Sequence, residues 1–159
     1  MNIHQHTQQL FDAVTARLEH IQIEGGTLGL DENNECFLTL DERMVFMFYL
    51  DEEIDALIIN LPLGLLPDDD TREVVMQELL YGNYCWNQTE GATLGVDKKT
   101  QVISLGYLVP LPLKDVAQMP HILEKLGGVA THWFRIMDQI AEEQSGGSGH
   151  TEHAHAMRI

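Results

Sequence analysis

The sequence predicts an α+β domain in which three helices pack against an antiparallel sheet, in the order α-β-β-β-α-β-β-α. One observation is an eight-residue phrase that occurs twice, at 24–31 and 90–97, with six identical positions. Each copy precedes four polar residues and an apolar run, which is the pattern of a β-hairpin. The other is a set of three segments with apolar residues at helical spacing. Strands grouped between helices favour the α+β class.

The first helix is expected near the N-terminus, where apolar residues follow one another at spacings of one, three, four and three. This spacing places them on one stripe of a helix: Leu10, Phe11, Val14, Leu18 and Ile21. Gly25 and Gly26 are expected to end the helix. The first copy of the phrase, with Cys36–Leu40, is then expected to form a hairpin.

The central strands are expected at Met44–Leu50 and Ala56–Ile59, joined by the acidic turn Asp51–Glu53. Met44–Leu50 is apolar at every position, whereas a strand with one solvated face would alternate. Both faces of this strand therefore need cover, and a single chain offers few elements to cover both. A second subunit, a bound protein or both are expected to cover the remainder. The alternative is that the three helices alone cover the sheet. Asn60–Gly64 is expected to lead out of the sheet.

Pro67–Asp70 is expected to open the second helix, because acidic residues in a first turn favour a helix N-terminus. Its inner stripe is predicted to be Val75, Met76, Leu79, Leu80 and Asn83. Gly82 is unusual in that stripe. The second copy of the phrase then opens a hairpin over Gly91–Val109, which Pro110 stops.

The third helix is predicted to begin at Pro120. Its stripe comprises Ile122, Leu126, Ala130, Trp133, Met137 and Ile140. Gly127 and Gly128 interrupt this stripe, either because the helix approaches another element closely or because the helix breaks. We predict one domain over residues 1–143 and a flexible tail rich in Gly, Ser and His over 144–159.

Composition restricts the function. The chain carries 25 acidic and 9 basic side chains, a net charge of −16. This balance argues against nucleic acid and anionic membranes as partners. No apolar stretch is long enough to span a membrane, and the N-terminus lacks the pattern of a signal peptide. Cys36 and Cys85 show no metal or redox spacing and are expected to be reduced thiols.

No catalytic motif is present, and we predict no catalytic residue, no cofactor and no enzyme activity. The phosphate-binding, nucleophile-elbow and zinc-protease patterns are all missing. The tail histidines His150, His153 and His155 could bind a transition metal weakly, alone or joined by His4 and His6. A working metal site needs rigid support, which a tail does not provide, so no metal site is predicted.

Four features together resemble a known family. They are Asn33-Asn34 leading into Phe37–Glu42, Leu79-Leu80 followed by Asn83, Leu94-Gly95-Val96-Asp97 followed by Leu111-Pro112-Leu113, and a last helix with Ala130 before Trp133. The chain is similar to the class I chaperones of bacterial type III secretion, the Tir-chaperone-like family, over about residues 3–143. The paired glycines of the last helix and the histidine-rich tail depart from that pattern.

The resemblance implies a homodimer in the bacterial cytoplasm that binds the extended N-terminal segment of a secreted effector. Client backbone can add to a sheet edge as a strand. We expect client contacts at Val14, Leu18, Leu38, Phe46 and Phe48, without deciding which sheet face meets the client. We expect the dimer interface at Leu79, Asn83, Trp86, Val102 and Ser104.

Two alternatives remain open at this level. A regulatory member of the same fold would bind an anti-activator and couple secretion to transcription. A small acidic enzyme would assemble its site from scattered residues and would carry a pocket with convergent polar groups. Co-purification of one or two specific proteins would favour a chaperone or regulator.

Overall fold

The computed structural model describes residues 2–18, 27–40 and 42–147. Within this part the chain forms three α-helices, a short 3₁₀ turn at Tyr84–Trp86 and one five-stranded antiparallel sheet of order β1-β2-β3-β5-β4. The predicted α+β class and element order are confirmed. The elements are α1 (Ile3–Arg17), β1 (Glu35–Thr39), β2 (Val45–Asp51), β3 (Ala56–Leu65), α2 (Arg72–Asn83), β4 (Thr93–Val96), β5 (Val102–Pro110) and α3 (Gln118–Gly147).

The helices cover one face of the sheet, called here the covered face. Alternate strand residues point to it and are buried, since side chains of a strand alternate between faces. The Phe11 ring of α1 meets Phe48 of β2 edge-on, with ring centroids 5.2 Å apart. Trp133 of α3 is fully buried in the same core. The strand residues that build this face include Cys36, Leu38, Phe46, Phe48, Leu50, Leu57, Ile59, Leu61, Ile103 and Leu105.

Polar contacts fix α1 and α3 over this core. Arg17 of α1 pairs with Glu124 of α3 at 2.7 Å, and Arg43, before β2, pairs with Asp138 of α3 at 2.9 Å. His6 is buried, and its Nε2 accepts a hydrogen bond from the Leu113 backbone N–H at 3.0 Å. The N-terminal helix is therefore held at both ends.

The two copies of the repeated phrase fold differently, which corrects the prediction of a first hairpin. The second copy contains β4 and leads into β5. Residues 27–30 of the first copy form no strand, because the Leu28 carbonyl accepts from Gln8 of α1 rather than from a neighbouring strand. The copies instead share a turn in which the carboxylate of Asp31 or Asp97 accepts two backbone N–H groups.

Three further predictions need correction. The second helix begins at Arg72, after the acidic residues 68–70 rather than with them. β3 continues to Leu65, past the predicted exit at Asn60, because a register shift between Pro62 and Gly64 lets the strand keep pairing with β5. The inner line of α2 is Val75, Leu79 and Gly82. Met76 and Leu80, predicted to face inward, are exposed, because the buried stripe of α2 is only one residue wide per turn.

The paired glycines do not break α3, which runs without interruption from Gln118 to Gly147. Gly127 permits a close approach, because an added Cβ would lie 3.4 Å from the Met44 sulfur. The helix thus includes residues 144–147, the start of the segment predicted as a tail. Residues 148–159, with His150, His153 and His155, lie outside the described part of the chain, as does Ile21.

Gly82 is explained by Trp133. A Cβ at Gly82 would lie 2.2 Å from Cζ2 of the Trp133 ring, and that ring is fixed by a hydrogen bond from its Nε1 to the Gln88 carbonyl at 3.1 Å. The absence of a side chain at Gly82 therefore sets how closely α2 lies on α3.

Substituting Gly82→Ala is expected to lower the free energy of unfolding by about 1–3 kcal/mol, the usual cost of overpacking a core. Gly128→Ala is the matched control. Nothing lies within 4 Å of a Cβ there, so the better helix former should stabilise the chain by about 0.5–1 kcal/mol. Urea unfolding followed by circular dichroism measures both. Equal stability of Gly82→Ala and the parent would show that Trp133 does not pack as described.

Candidate functional site

The described residues offer surfaces for binding rather than a centre for chemistry. No group of three His, Cys, Asp or Glu side chains among them could hold a metal ion. None of the helices in the described ranges combines the length and hydrophobicity that a transmembrane span requires. Three features could instead bind a protein: the second face of the sheet, the edge of β1 and the outer surface of α2.

The second face of the sheet, called here the open face, carries no helix of the described chain. Its apolar residues are contiguous, because the strand register places Phe37 opposite Met47, Tyr49 opposite Ile58, and Ile58 opposite Leu108. Phe37 is 51% exposed and Tyr49 is 44% exposed. We name Phe37, Met47, Tyr49, Ile58 and Leu108 the open-face patch. Within Met44–Leu50, Met47 and Tyr49 lie on this open face, so the helices of the described chain do not cover both faces of that strand.

The outer edge of β1 is open. Leu50 N–H donates to the Asn34 carbonyl and Leu40 N–H donates to the Met44 carbonyl, each at 2.9 Å. Backbone groups of alternate residues face the paired strand, so those of Phe37 and Thr39 point away from β2. Among the described residues they have no backbone partner; the Phe37 carbonyl meets only the Cys36 thiol, at 4.0 Å.

The outer edge of β4 is closed by a side chain. The Asn83 amide donates to the Leu94 carbonyl and accepts from the Leu94 N–H, both at 2.9 Å. One side chain thus supplies the two hydrogen bonds that a neighbouring strand would make. The sheet therefore has one edge that can accept a strand and one that is blocked at Leu94.

The outer surface of α2 and its 3₁₀ turn is apolar and exposed. Tyr81 is 64% exposed and Tyr84 is 73% exposed, with Leu80 and Trp86 beside them in sequence. The backbone turns sharply here, since Cys85 and Trp86 both have positive φ, at 53° and 54°. We name Leu80, Tyr81, Tyr84 and Trp86 the α2 patch. A contiguous exposed patch of this kind marks an interaction surface more often than chance.

A shallow groove crosses the open face over β4 and β5. Its volume is about 580 Å³, and the residues that line its floor include the small Gly95, Ser104 and Gly106. Backbone lies close to solvent along this floor. Bulky side chains of a second molecule could therefore approach the sheet here more closely than elsewhere on the open face.

The residues expected to contact a client lie on the covered face. Val14, Leu38, Phe46 and Phe48 are buried in the core of the single chain, and Leu18 at the end of α1 is partly buried. The structure brings them together, since Phe46 and Phe48 stack at 6.3 Å. Sequence analysis missed the exposed residues of the opposite face. Phe37 could have been found from its alternation with Cys36 and Leu38, which places it on the other side of β1.

The residues expected at a dimer interface are spread over three settings. Leu79 is buried within the chain, and Asn83 is engaged with Leu94. Trp86 is exposed in the α2 patch. Val102 and Ser104 are partly buried residues of β5, and Ser104 lines the groove of the open face.

Comparison with known proteins decides the family. A model of the Tir chaperone protein (CesT) family matches residues 18–134. The chain belongs to the Tir chaperone protein family. The resemblance found from the sequence is thereby confirmed, including the absence of an enzyme activity in this family. No curated protein sequence matches this family member.

Solved structures show the same fold at low sequence identity. A chain of the HopA1–SchA chaperone–effector complex is 20% identical, with a TM-score of 0.66 over 83% of this family member and 95% of that chain. A chain of the ExsC–ExsE complex is 18% identical, with a TM-score of 0.68 over 85% and 96%. A chain of the ExoU–SpcU complex from Pseudomonas aeruginosa is 15% identical, with a TM-score of 0.59 over 79% and 94%.

Asn83→Ala is expected to lower the free energy of unfolding by about 2–3 kcal/mol, because it leaves two backbone groups of Leu94 unpaired at roughly 1 kcal/mol or more each. Asn87→Ala is the matched control, since the Asn87 amide is exposed and makes no side-chain hydrogen bond within the described residues. Chemical denaturation of the three proteins measures the difference. A loss no larger for Asn83 than for Asn87 would contradict the capping role.

Proposed function

We propose that this protein is a cytosolic type III secretion chaperone, which binds the extended N-terminal region of a secreted effector and keeps it competent for secretion without catalysis. One observation carries the proposal: a member of the Tir chaperone protein family leaves one sheet edge and one apolar sheet face uncovered. An extended segment needs both features, because its backbone requires partners and its apolar side chains require cover.

The client is held by burial and backbone pairing. A segment beside β1 could bond to the outward N–H and C=O groups of Phe37 and Thr39. Its side chains on one side would reach Phe37 and, across the strands, Tyr49. Such a segment pays an ordering cost of several kcal/mol on binding, so a few apolar contacts should supply most of the affinity.

Most of the client residues expected from the sequence lie in the core under the covered face, on the opposite side of the sheet from the open-face patch. Phe46 and Phe48 are less than 2% exposed, so a charged substitution there would damage the core before it reported on a client. Leu18, with Val14 one turn earlier, sits at the end of α1 where a client could extend past the covered face. We therefore place the first contacts at Phe37 and Tyr49, and keep Leu18 as a further contact.

The regulatory alternative uses the same surfaces and differs only in the protein that is bound. The likeness to a chain of the ExsC–ExsE complex, at a TM-score of 0.68, is the reason to retain the regulatory alternative. The identity of the captured protein separates the two: a secreted effector supports the first, and a regulator of transcription supports the second. The small-enzyme alternative is set aside, because the family is one of non-catalytic chaperones.

The client prediction concerns the open-face patch. Phe37→Glu is expected to abolish capture of the secreted partner by the tagged protein in its own host, because a carboxylate replaces half-exposed apolar surface beside the open edge. Leu65→Glu is the matched control, since Leu65 is also an exposed apolar residue but lies outside the patch. Affinity capture with mass spectrometry, repeated with the partner's N-terminal segment alone, is the measurement.

Capture that is unchanged in the folded Phe37→Glu protein would show that the client does not use the open-face patch. Capture of no secreted or regulatory protein by the parent, under conditions where the secretion system is active, would remove the chaperone proposal itself.

We further propose that the protein is a homodimer in which the α2 patch of each subunit packs on the open-face groove of its partner. Bulky residues of the patch could enter the partner's groove over the small residues near Ser104, and an isologous interface would use this contact twice. Of the residues expected at the interface, Leu79 and Asn83 would not touch the partner. They would fix the position of α2 on its own subunit. Trp86, Val102 and Ser104 would lie in the contact.

Tyr81→Glu combined with Tyr84→Glu is expected to shift the protein from about twice its chain mass of 18.0 kDa to that mass, because two charges would be buried without partners. Ile54→Glu, at another exposed apolar position, should leave the dimer intact. Sedimentation velocity at micromolar concentration measures this. A parent protein that sediments as a monomer would contradict the dimer.

A further inference from the structure

The groove beside the open edge of β1 has a definite chemical character. It encloses about 300 Å³ and lies between β1 and residues 27–31. Thr27, Gly29 and Asp31 line one side, and Glu35 to Thr39 line the other. The outward backbone groups of Phe37 and Thr39 belong to this lining, whereas those of Glu35 are already bonded to Asp31. The groove is therefore bordered at Phe37 and Thr39 by backbone that can pair with an extended chain.

The charged residues that line this groove are both acidic. Asp31 accepts N–H groups from Asn33 and Glu35 at 2.8 and 2.9 Å. The N–H of Glu35 is the main cause that holds the pKa of Asp31 below its ordinary value, so this carboxylate stays ionised. Glu35 is exposed beside it, and the residues described along the groove include neither Lys nor Arg.

The side chains of β1 on the open face alternate in character. Glu35 and Phe37 are two residues apart on the same face, since they share the period of the strand. A segment that pairs with Phe37 and Thr39 must leave the edge at Glu35, because the Glu35 carbonyl already accepts from the Asp31 N–H and the Glu35 N–H donates to the Asp31 carboxylate. Its residue opposite Phe37 can form an apolar pair, since opposed side chains of neighbouring strands are close enough to interact. Its residue two positions further along stands beside the Glu35 and Asp31 carboxylates, within reach of a long basic side chain.

We infer that the β1 groove selects a client segment in which an apolar residue and a basic residue stand two positions apart on one face of an extended strand. The apolar residue packs on Phe37, and the Lys or Arg pairs with Glu35 and Asp31. This inference rests on the proposed client-binding function and names the chemistry of the segment that is bound. The excess of acidic residues over the whole chain acts in the same direction by attracting basic segments.

Two synthetic peptides test the selection. One has the sequence Thr-Val-Thr-Leu-Thr-Lys-Thr-Val-Thr, and the other replaces its lysine with glutamate. We expect the lysine peptide to bind about tenfold more tightly at low salt, which is the order of effect for exchanging attraction and repulsion at an exposed site. The difference should shrink at about 0.5 M salt through screening. Amide NMR titration gives the affinity, and shifts of the Phe37 and Thr39 amides locate the peptide.

A pair of variants separates local from global charge. Glu35→Lys is expected to remove the preference, because the new ammonium offsets the negative charge that Asp31 still carries. Glu53→Lys makes the same change in net charge at an exposed position of the β2–β3 turn, and should keep the preference of the parent. The amide spectrum of each variant establishes that it is folded.

Three results would overturn the inference: equal affinity for the two peptides, an unchanged preference in Glu35→Lys, or shifts that leave the Phe37 and Thr39 amides unaffected. Failure of both peptides to bind would count against it in the same way. These outcomes differ from failure of the chaperone proposal, which is decided by capture of a secreted partner. A protein that captures its effector but ignores peptide charge would keep the proposed function and lose this inference.

Discussion

The structure depends on the way a single layer of helices is placed against one sheet. α1 and α3 bury the covered face through Phe11, Trp133 and their neighbours, and this leaves the chain without a described element for the other face. A sheet with one covered face can be stable when its second face is polar. Here the second face carries the open-face patch instead, so the arrangement that stabilises the monomer also creates the surface that a partner can cover.

One edge of the sheet is blocked by a side chain and the other is open, so an extended chain can pair only with β1. Exposed strand edges invite unwanted pairing, and proteins usually block them. The Asn83 amide blocks β4 at Leu94, and Gly82 allows α2 to lie close enough to place that amide. The groove beside Phe37 leaves β1 available. A binding protein that must accept an extended chain in one place needs this combination of a closed edge and an open one.

Much of the fold was predictable because local patterns decide it. Helical stripes such as Leu10, Phe11 and Val14, and the continuous apolar run of β2, gave the elements and their order. The repeated phrase predicted two hairpins, and the first is wrong. What the copies share is the turn after Asp31 and Asp97. The residues before Asp31 form no strand, and the Leu28 carbonyl instead accepts from Gln8 of α1, a contact that the local sequence does not reveal. The open-face patch and the Asn83 bridge also depend on tertiary neighbours, so periodicity alone could not locate the binding surfaces.

Amide hydrogen exchange of the protein without a partner tests the central claim most directly, because it compares the two edges in one molecule. The account predicts that the Leu94 amide, which donates to Asn83, is protected. It predicts that the amides of Phe37 and Thr39 exchange fast and become protected when a client segment is added. Slow exchange at Phe37 and Thr39 in the free protein, or no protection at Leu94, would contradict an open β1 edge and a closed β4 edge.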